Sequence, residues 1–144
     1  MLKSTEEGLR TVRAPRVADS EKITINLGFI DLGNVDLLVR DGFYSNRTDF
    51  IRTAIRSQLA THADALNQSA SRKSLSLGLQ HYGREQLEKL QAAGERVDIR
   101  ALGLVRISAD VTAELARATI ASITVLGALQ ASAAVRTALS DRIS

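Results

Sequence analysis

The chain has 144 residues, of which 44% are hydrophobic and 24% are charged, a composition typical of globular proteins and not of disordered ones. It contains no cysteine, which excludes disulfide scaffolds, thiol catalysis and cysteine-ligated zinc. The net charge is only +3, and residues 1–64 carry nine basic and nine acidic side chains, so bulk charge does not by itself indicate a polyanionic partner.

Residues 1–19 are polar, contain the only proline and show no sustained hydrophobic period, which predicts a flexible basic arm. Its basic side chains are Lys3, Arg10, Arg13 and Arg16. The arm either adds contacts to phosphate groups or is a solvated tail. Neither a signal-peptide core nor a run of apolar residues long enough for a transmembrane helix is present, so we expect a cytoplasmic protein without membrane contact.

From Glu21 the sequence alternates strictly between polar and apolar residues, which predicts a half-buried strand from Lys22 to Leu27. One face carries Lys22, Thr24 and Asn26, and the other carries Ile23, Ile25 and Leu27. A single strand leaves its backbone donors and acceptors without partners, and no second strand lies nearby in the sequence. We therefore expect this strand to pair antiparallel with its copy in a second subunit, about a two-fold axis near Ile25, in an obligate homodimer.

Two helices are predicted after this strand. In the first, Leu32, Val35, Leu38 and Val39 recur at helical spacing. Asp31 or Asn34 is a candidate cap for its start, and Gly42 provides its stop. The second helix is predicted to begin at Ser45 as the N-cap residue. Its apolar stripe consists of Phe50, Ile51, Ala54, Ile55 and Leu59.

A polar run predicts a linker at residues 65–74, and the remaining residues 75–144 contain a recurring Leu-Gly pair. The pairs at Leu77-Gly78, Leu102-Gly103 and Leu126-Gly127 are 25 and 24 residues apart, and a further leucine follows each at Leu90, Leu115 and Leu139. This spacing predicts three β-α units in a small repeat domain, with chance recurrence in a leucine-rich chain as the alternative. We expect the domain to mediate oligomerisation or to hold an effector.

The order of elements from the strand KITINLG through GFYSNRTDFIRTAIR resembles the ribbon-helix-helix superfamily of CopG-like, Arc-like and MetJ-like regulators, over about residues 20–62. The resemblance implies an α+β fold in which residues 20–64 form a DNA-binding and dimerisation domain. It assigns base contacts in the major groove of double-stranded DNA to Lys22, Thr24 and Asn26. It assigns phosphate contacts to Ser45 and its neighbours Asn46 and Arg47, whose backbone N–H groups lie at a helix N-terminus.

We therefore expect a bacterial, sequence-specific transcription regulator, a repressor whose residues 75–144 gather homodimers into higher oligomers. The alternatives are a ribbon-helix-helix antitoxin and a plasmid partition or conjugation accessory protein. No motif typical of a catalytic site or a phosphate-binding loop occurs, so we expect no enzymatic activity and no cofactor. His62 and His81 are far apart and lack neighbouring carboxylates, so we expect no metal site.

Overall fold

The structure is a computed structural model that describes residues 20–144, so the predicted arm of residues 1–19 lies outside the described residues. Helices and strands are mixed, in agreement with the predicted α+β class. Three helices come first, α1 (Phe29–Arg40), α2 (Arg47–Thr61) and α3 (Ala63–Arg72). Strands and helices then alternate as β1 (Ser76–Tyr82), α4 (Arg84–Ala92), β2 (Val97–Ile107), α5 (Ala113–Thr119), β3 (Ile120–Gln130) and α6 (Ala133–Ala138).

The three strands form one parallel sheet in the order β1-β2-β3. Four alternate residues of β2 are buried, namely Ile99, Ala101, Val105 and Ile107, and the exposed Gly103 interrupts this row. These side chains pack in one cluster with one residue from each of the helices α4, α5 and α6, namely Leu87, Leu115 and Val135. Helices α4, α5 and α6 therefore cover one face of the sheet, and the hydrophobic core lies between these helices and the sheet.

The three Leu-Gly pairs lie side by side in this sheet, because Gly78 pairs in register with Gly103 and Gly103 with Gly127. All three glycines have positive φ, at +115°, +140° and +124°. A Cβ atom added to Gly103 would collide with the backbone carbonyl of Gly78, and one added to Gly127 would collide with that of Gly103. Glycine at the second and third positions therefore allows the strands to approach closely at a point where each backbone bends.

The first helix starts earlier than predicted. Gly28, in an extended conformation, occupies the N-cap position without a side-chain hydrogen bond, so the prediction that Asp31 or Asn34 caps this helix is wrong. Asp31 instead lies in the first turn, where its negative charge interacts favourably with the helix dipole. The predicted stop at Gly42 is confirmed: Gly42 has φ +86°, and its amide donates to the carbonyl of Val39.

The segment predicted as a linker, residues 65–74, is helical over most of its length because α3 spans Ala63–Arg72. This helix has no buried residue, and its polar side chains remain exposed or half-buried. Ala63, Leu66 and Ala70 recur at helical spacing and were a signal for this helix, but the polar residues between them led to the linker prediction. The proposed division of the chain into domains stays a prediction.

The chain end adds a short pairing to the sheet. Ile143 forms an isolated parallel bridge with Ile123 of β3, and the Ser144 amide donates to the Ile123 carbonyl at 2.8 Å. Across residues 20–144, no helix combines the length and the apolar character needed to span a lipid bilayer.

Candidate nucleic-acid interface

The segment predicted to read DNA, from Lys22 to Leu27, is neither helix nor strand in the single chain. All of its residues are exposed, including Lys22, Thr24 and Asn26 on the polar face. The alternating apolar side chains are exposed as well, at 72% for Ile23 and 57% for Ile25. A strand is defined by its hydrogen bonds to a neighbour, and one chain provides none here. The ribbon therefore stays a prediction that only a second chain can complete.

The helices that follow also leave their apolar side chains uncovered. Between residues 20 and 75, Val35 is the single buried residue. On α2, Phe50 and Ile51 are half-buried, whereas Ile55 is 47% and Leu59 52% exposed. One copy of this region thus has no hydrophobic core of its own, although its sequence carries the apolar residues from which a core is built.

The N-terminus of α2 is held by a reciprocal pair of hydrogen bonds. The Asn46 side-chain oxygen accepts from the Asp49 amide at 2.8 Å, and the Asp49 carboxylate accepts from the Ser45 amide at 3.0 Å. The predicted cap, Ser45, is therefore wrong by one residue, and Asn46 is the cap. The spacing Asn-x-x-Asp is a variant of the capping box, and it was the signal in the sequence that could have identified Asn46 as the cap.

Arg47, predicted to contact phosphate, forms a bidentate ion pair with Asp36 of α1. Its Nε and Nη2 donate to the two carboxylate oxygens at 2.7 and 2.8 Å. The hydrogen bonds from Arg47 lower the pKa of Asp36, and those same bonds raise the pKa of Arg47. The ion pair joins the start of α2 to α1, so it fixes the direction of the Arg47 side chain.

The structure thus brings Ser45, Asn46 and Arg47 together at one helix end and adds two acidic residues, Asp49 and Asp36, to their surroundings. Asp36 lies eleven residues before Arg47, and their contact depends on how α1 packs against α2. Sequence periodicity carries no information about that packing, so Asp36 had no signal. The amides of Arg47 and Thr48 lie in the first helical turn, where no intrahelical acceptor exists. The predicted phosphate contact would use these amides, and that contact stays a prediction.

The two histidines contact neutral partners. His62 lies 3.4 Å from the Gln58 amide on α2, and the His81 ring lies 2.9 Å from the hydroxyl of Ser108. Within the described part of the chain, no three side chains of the kinds that ligate metals are clustered.

Comparison with known proteins gives a match to a family model. The model of the Ribbon-Helix-Helix transcriptional regulator family matches residues 18–136, which is most of the chain. Neither a curated protein nor a solved structure matches the chain.

Proposed function

Because the chain belongs to the ribbon-helix-helix transcriptional regulator family, we propose that it is a homodimeric, sequence-specific repressor that inserts a two-stranded antiparallel ribbon into the major groove of DNA. The observation that carries the proposal is the exposed alternation from Lys22 to Leu27, beside helices that have almost no core in one chain. A second copy supplies both missing elements, since it pairs with the segment and covers the apolar side chains beneath it.

In the proposed ribbon, each strand turns Lys22, Thr24 and Asn26 toward the base edges. Lysine donates to guanine O6 and N7, asparagine forms two hydrogen bonds with adenine, and threonine offers a hydroxyl and a methyl group. Two strands present this set twice, related by a two-fold axis near Ile25. We accordingly expect an operator with inverted half-sites.

The N-terminus of α2 is proposed to hold a backbone phosphate on either side of the ribbon. Its first-turn amides and the positive end of the helix dipole favour an anion, and the polar side chains of Ser45 and Asn46 flank it. Arg47 contributes to this site only if its guanidinium binds phosphate in addition to Asp36 or in place of it. Such contacts set the position of the ribbon along the groove without reading sequence.

The region from Ser76 onward is proposed to link dimers into larger assemblies. Within residues 20–144, β1 pairs with β2 only, so its outer edge retains backbone groups that another strand can bond. The packed core of this region favours an assembly role over the antitoxin alternative. Toxin-binding tails are typically segments without a core that fold on their partner.

A titration followed by fluorescence anisotropy tests the DNA-reading role. Labelled DNA from upstream of the protein's own gene and a scrambled duplex are titrated with the wild type and with Thr24→Ala/Asn26→Ala at two salt concentrations. The variant Asn67→Ala/Thr137→Ala, which removes the same residue types from exposed positions on α3 and α6, is the control.

We expect the wild type and the control to prefer the upstream DNA, and Thr24→Ala/Asn26→Ala to bind both duplexes equally. The ratio of the affinities for the two duplexes should therefore fall by about tenfold or more in that variant. Affinity should fall with added salt for every variant, because phosphate contacts are retained. An unchanged preference in Thr24→Ala/Asn26→Ala would contradict the proposal. Absence of binding to either duplex would contradict it as well.

A further inference from the structure

The sheet has a second face, opposite the helices, that is apolar and that no helix or strand of residues 20–144 covers. Its centre consists of two rows that run across all three strands. The rows are Leu77, Leu102 and Leu126, followed by Leu79, Leu104 and Ala128. Leu77 is 81% exposed, Leu79 59% and Leu126 53%. We refer to these six residues as the leucine face.

Polar residues border the leucine face on both sides. Arg100 and Thr124 lie in the row before it, and Arg106 and Gln130 in the row after it. Arg100 donates to the backbone carbonyl of Lys73 at 2.9 and 2.6 Å, and Arg106 donates to the Gln130 side chain at 3.0 Å. An uncharged apolar centre with a polar and charged rim has the composition of a protein interface, and the centre of a second copy carries no charge that would repel it.

Parallel sheets are normally covered on both faces, because the helices that connect their strands pack on either side of the sheet. In the described part of this chain, residues 20–144, the helices cover only one face. The uncovered rows and their borders extend about 20 Å along three strands that lie about 4.8 Å apart, an area on the order of 300 Å². A stable interface between free proteins buries about 800 Å² per partner. The leucine face is therefore too small to join two separate molecules, and it fits a contact that extends a larger interface.

The position of this face relative to the predicted ribbon supplies that larger interface. Ser20 and Glu21 line a cleft of about 500 Å³ together with Leu79, Leu104 and Ala128 of the leucine face. The predicted ribbon begins at the next residue, and its two-fold axis is expected near Ile25. Ile25 follows Glu21 by four residues, which span at most about 14 Å when extended. Each leucine face therefore lies beside the axis that relates the two subunits.

We propose that the leucine face of each subunit packs against the leucine face of its partner within the same dimer, as a second dimer contact next to the ribbon. This inference rests on the proposed dimer. Once the ribbon has joined two chains, the second contact forms at a high effective concentration, so a small apolar area is sufficient. The outer edge of β1 then remains open for contacts between dimers.

Single cysteines test the proposal cleanly because the chain contains none. Three full-length variants are treated at low concentration with a short bis-maleimide: Leu102→Cys in the centre of the leucine face, Ile25→Cys at the proposed ribbon axis, and Ser140→Cys as an exposed control. We expect Leu102→Cys and Ile25→Cys each to give a covalent dimer, and Ser140→Cys to stay monomeric on a denaturing gel. The variant with both Ile25→Cys and Leu102→Cys should give dimers without larger products.

The outcomes separate the two proposals. If Ile25→Cys is linked and Leu102→Cys is not, the leucine contact is wrong and the ribbon dimer stands. If neither is linked, the dimer itself fails. If the double-cysteine variant gives a ladder of larger products, the leucine faces join different dimers, which overturns the contact within one dimer.

A second measurement avoids any dependence on linker reach. Leu77→Asp replaces a side chain that is 81% exposed in the single chain, so it leaves the fold of the subunit intact. Sedimentation equilibrium should then give a dimer dissociation constant about tenfold higher than for the wild type. An unchanged constant would overturn the proposal.

Discussion

Glycines 78, 103 and 127 form one row across the sheet, but they differ in what surrounds them. A side chain at Gly103 or Gly127 would meet the backbone of the preceding strand, whereas nothing lies within 4 Å of the position that a Cβ would occupy at Gly78. All three share the positive φ that disfavours other residues. The row therefore separates the energetic effect of backbone conformation from that of steric contact.

We expect Gly78→Ala to lower the free energy of unfolding by about 2 kcal/mol, through strain in the backbone alone. Gly103→Ala adds a collision with the Gly78 carbonyl and should lower it by about 4 kcal/mol or more, or prevent folding. Urea unfolding followed by circular dichroism measures both. Equal losses in the two variants would contradict the proposed role of the close strand approach.

The ion pair between Asp36 and Arg47 produces a pH dependence with a defined sign. Because Arg47 lowers the pKa of Asp36 in the folded chain, the pair stabilises the fold at neutral pH, and this stabilisation disappears as the pH falls below about 4. Both side chains are exposed, so the effect is small and decreases with salt.

Asp36→Asn and Arg47→Gln should each reduce stability at pH 7 and make its decline in acid shallower, as measured by urea midpoints at several pH values. The double variant should show no further change, because either substitution already removes the interaction. Additive losses would mean that the two residues stabilise the fold independently.

At the scale of elements, the start of α2 depends on Asn46 and not on the neighbouring Ser45. Asn46→Ala removes the acceptor for the Asp49 amide and should cost about 1 kcal/mol, which corresponds to a fall in melting temperature of about 2–4 °C. Ser45→Ala keeps the backbone bond to Asp49 and is the matched control, with an expected change below about 0.5 kcal/mol, which corresponds to about 1–2 °C. Thermal melts in which the serine variant lost more than the asparagine variant would contradict this assignment.

Local signals predicted the elements well where the cause is local. The end of the first helix at Gly42 and the helix that carries the apolar stripe Phe50, Ile51 and Ile55 follow from neighbours in the sequence. The linker prediction failed at α3, whose few apolar residues, Ala63, Leu66 and Ala70, stand at helical spacing among polar ones. The pairing of Asp36 with Arg47 was beyond the sequence, because it depends on the packing of two helices. The ribbon depends on a second chain and stays a prediction.

At the scale of the molecule, the hydrophobic core is distributed unevenly. Among residues 20–144, all buried apolar residues except Val35 lie from Leu87 to Leu139, within or beside the three-stranded sheet. The apolar residues from Ile23 to Leu59 are largely exposed in one chain. Folding of this first part is therefore expected to be coupled to association.

Coupled folding and association predict that stability depends on protein concentration. The melting temperature should rise when the protein concentration is increased about a hundredfold. Circular dichroism at about 222 nm follows this transition. The isolated sheet region would not produce this dependence through its own core. A melting temperature that is independent of concentration would contradict the obligate dimer.

The most direct test of the central claim, that a ribbon from two chains reads the major groove, is protection of guanine N7 from methylation by dimethyl sulfate. This atom lies in the major groove, where lysine is expected to donate to it. On upstream DNA bound by the wild type, we predict protected guanines in two inverted half-sites, and selective loss of that protection with Lys22→Ala while phosphate contacts persist. Bound DNA whose guanines remain fully reactive, or whose protection is unchanged in Lys22→Ala, would contradict the claim.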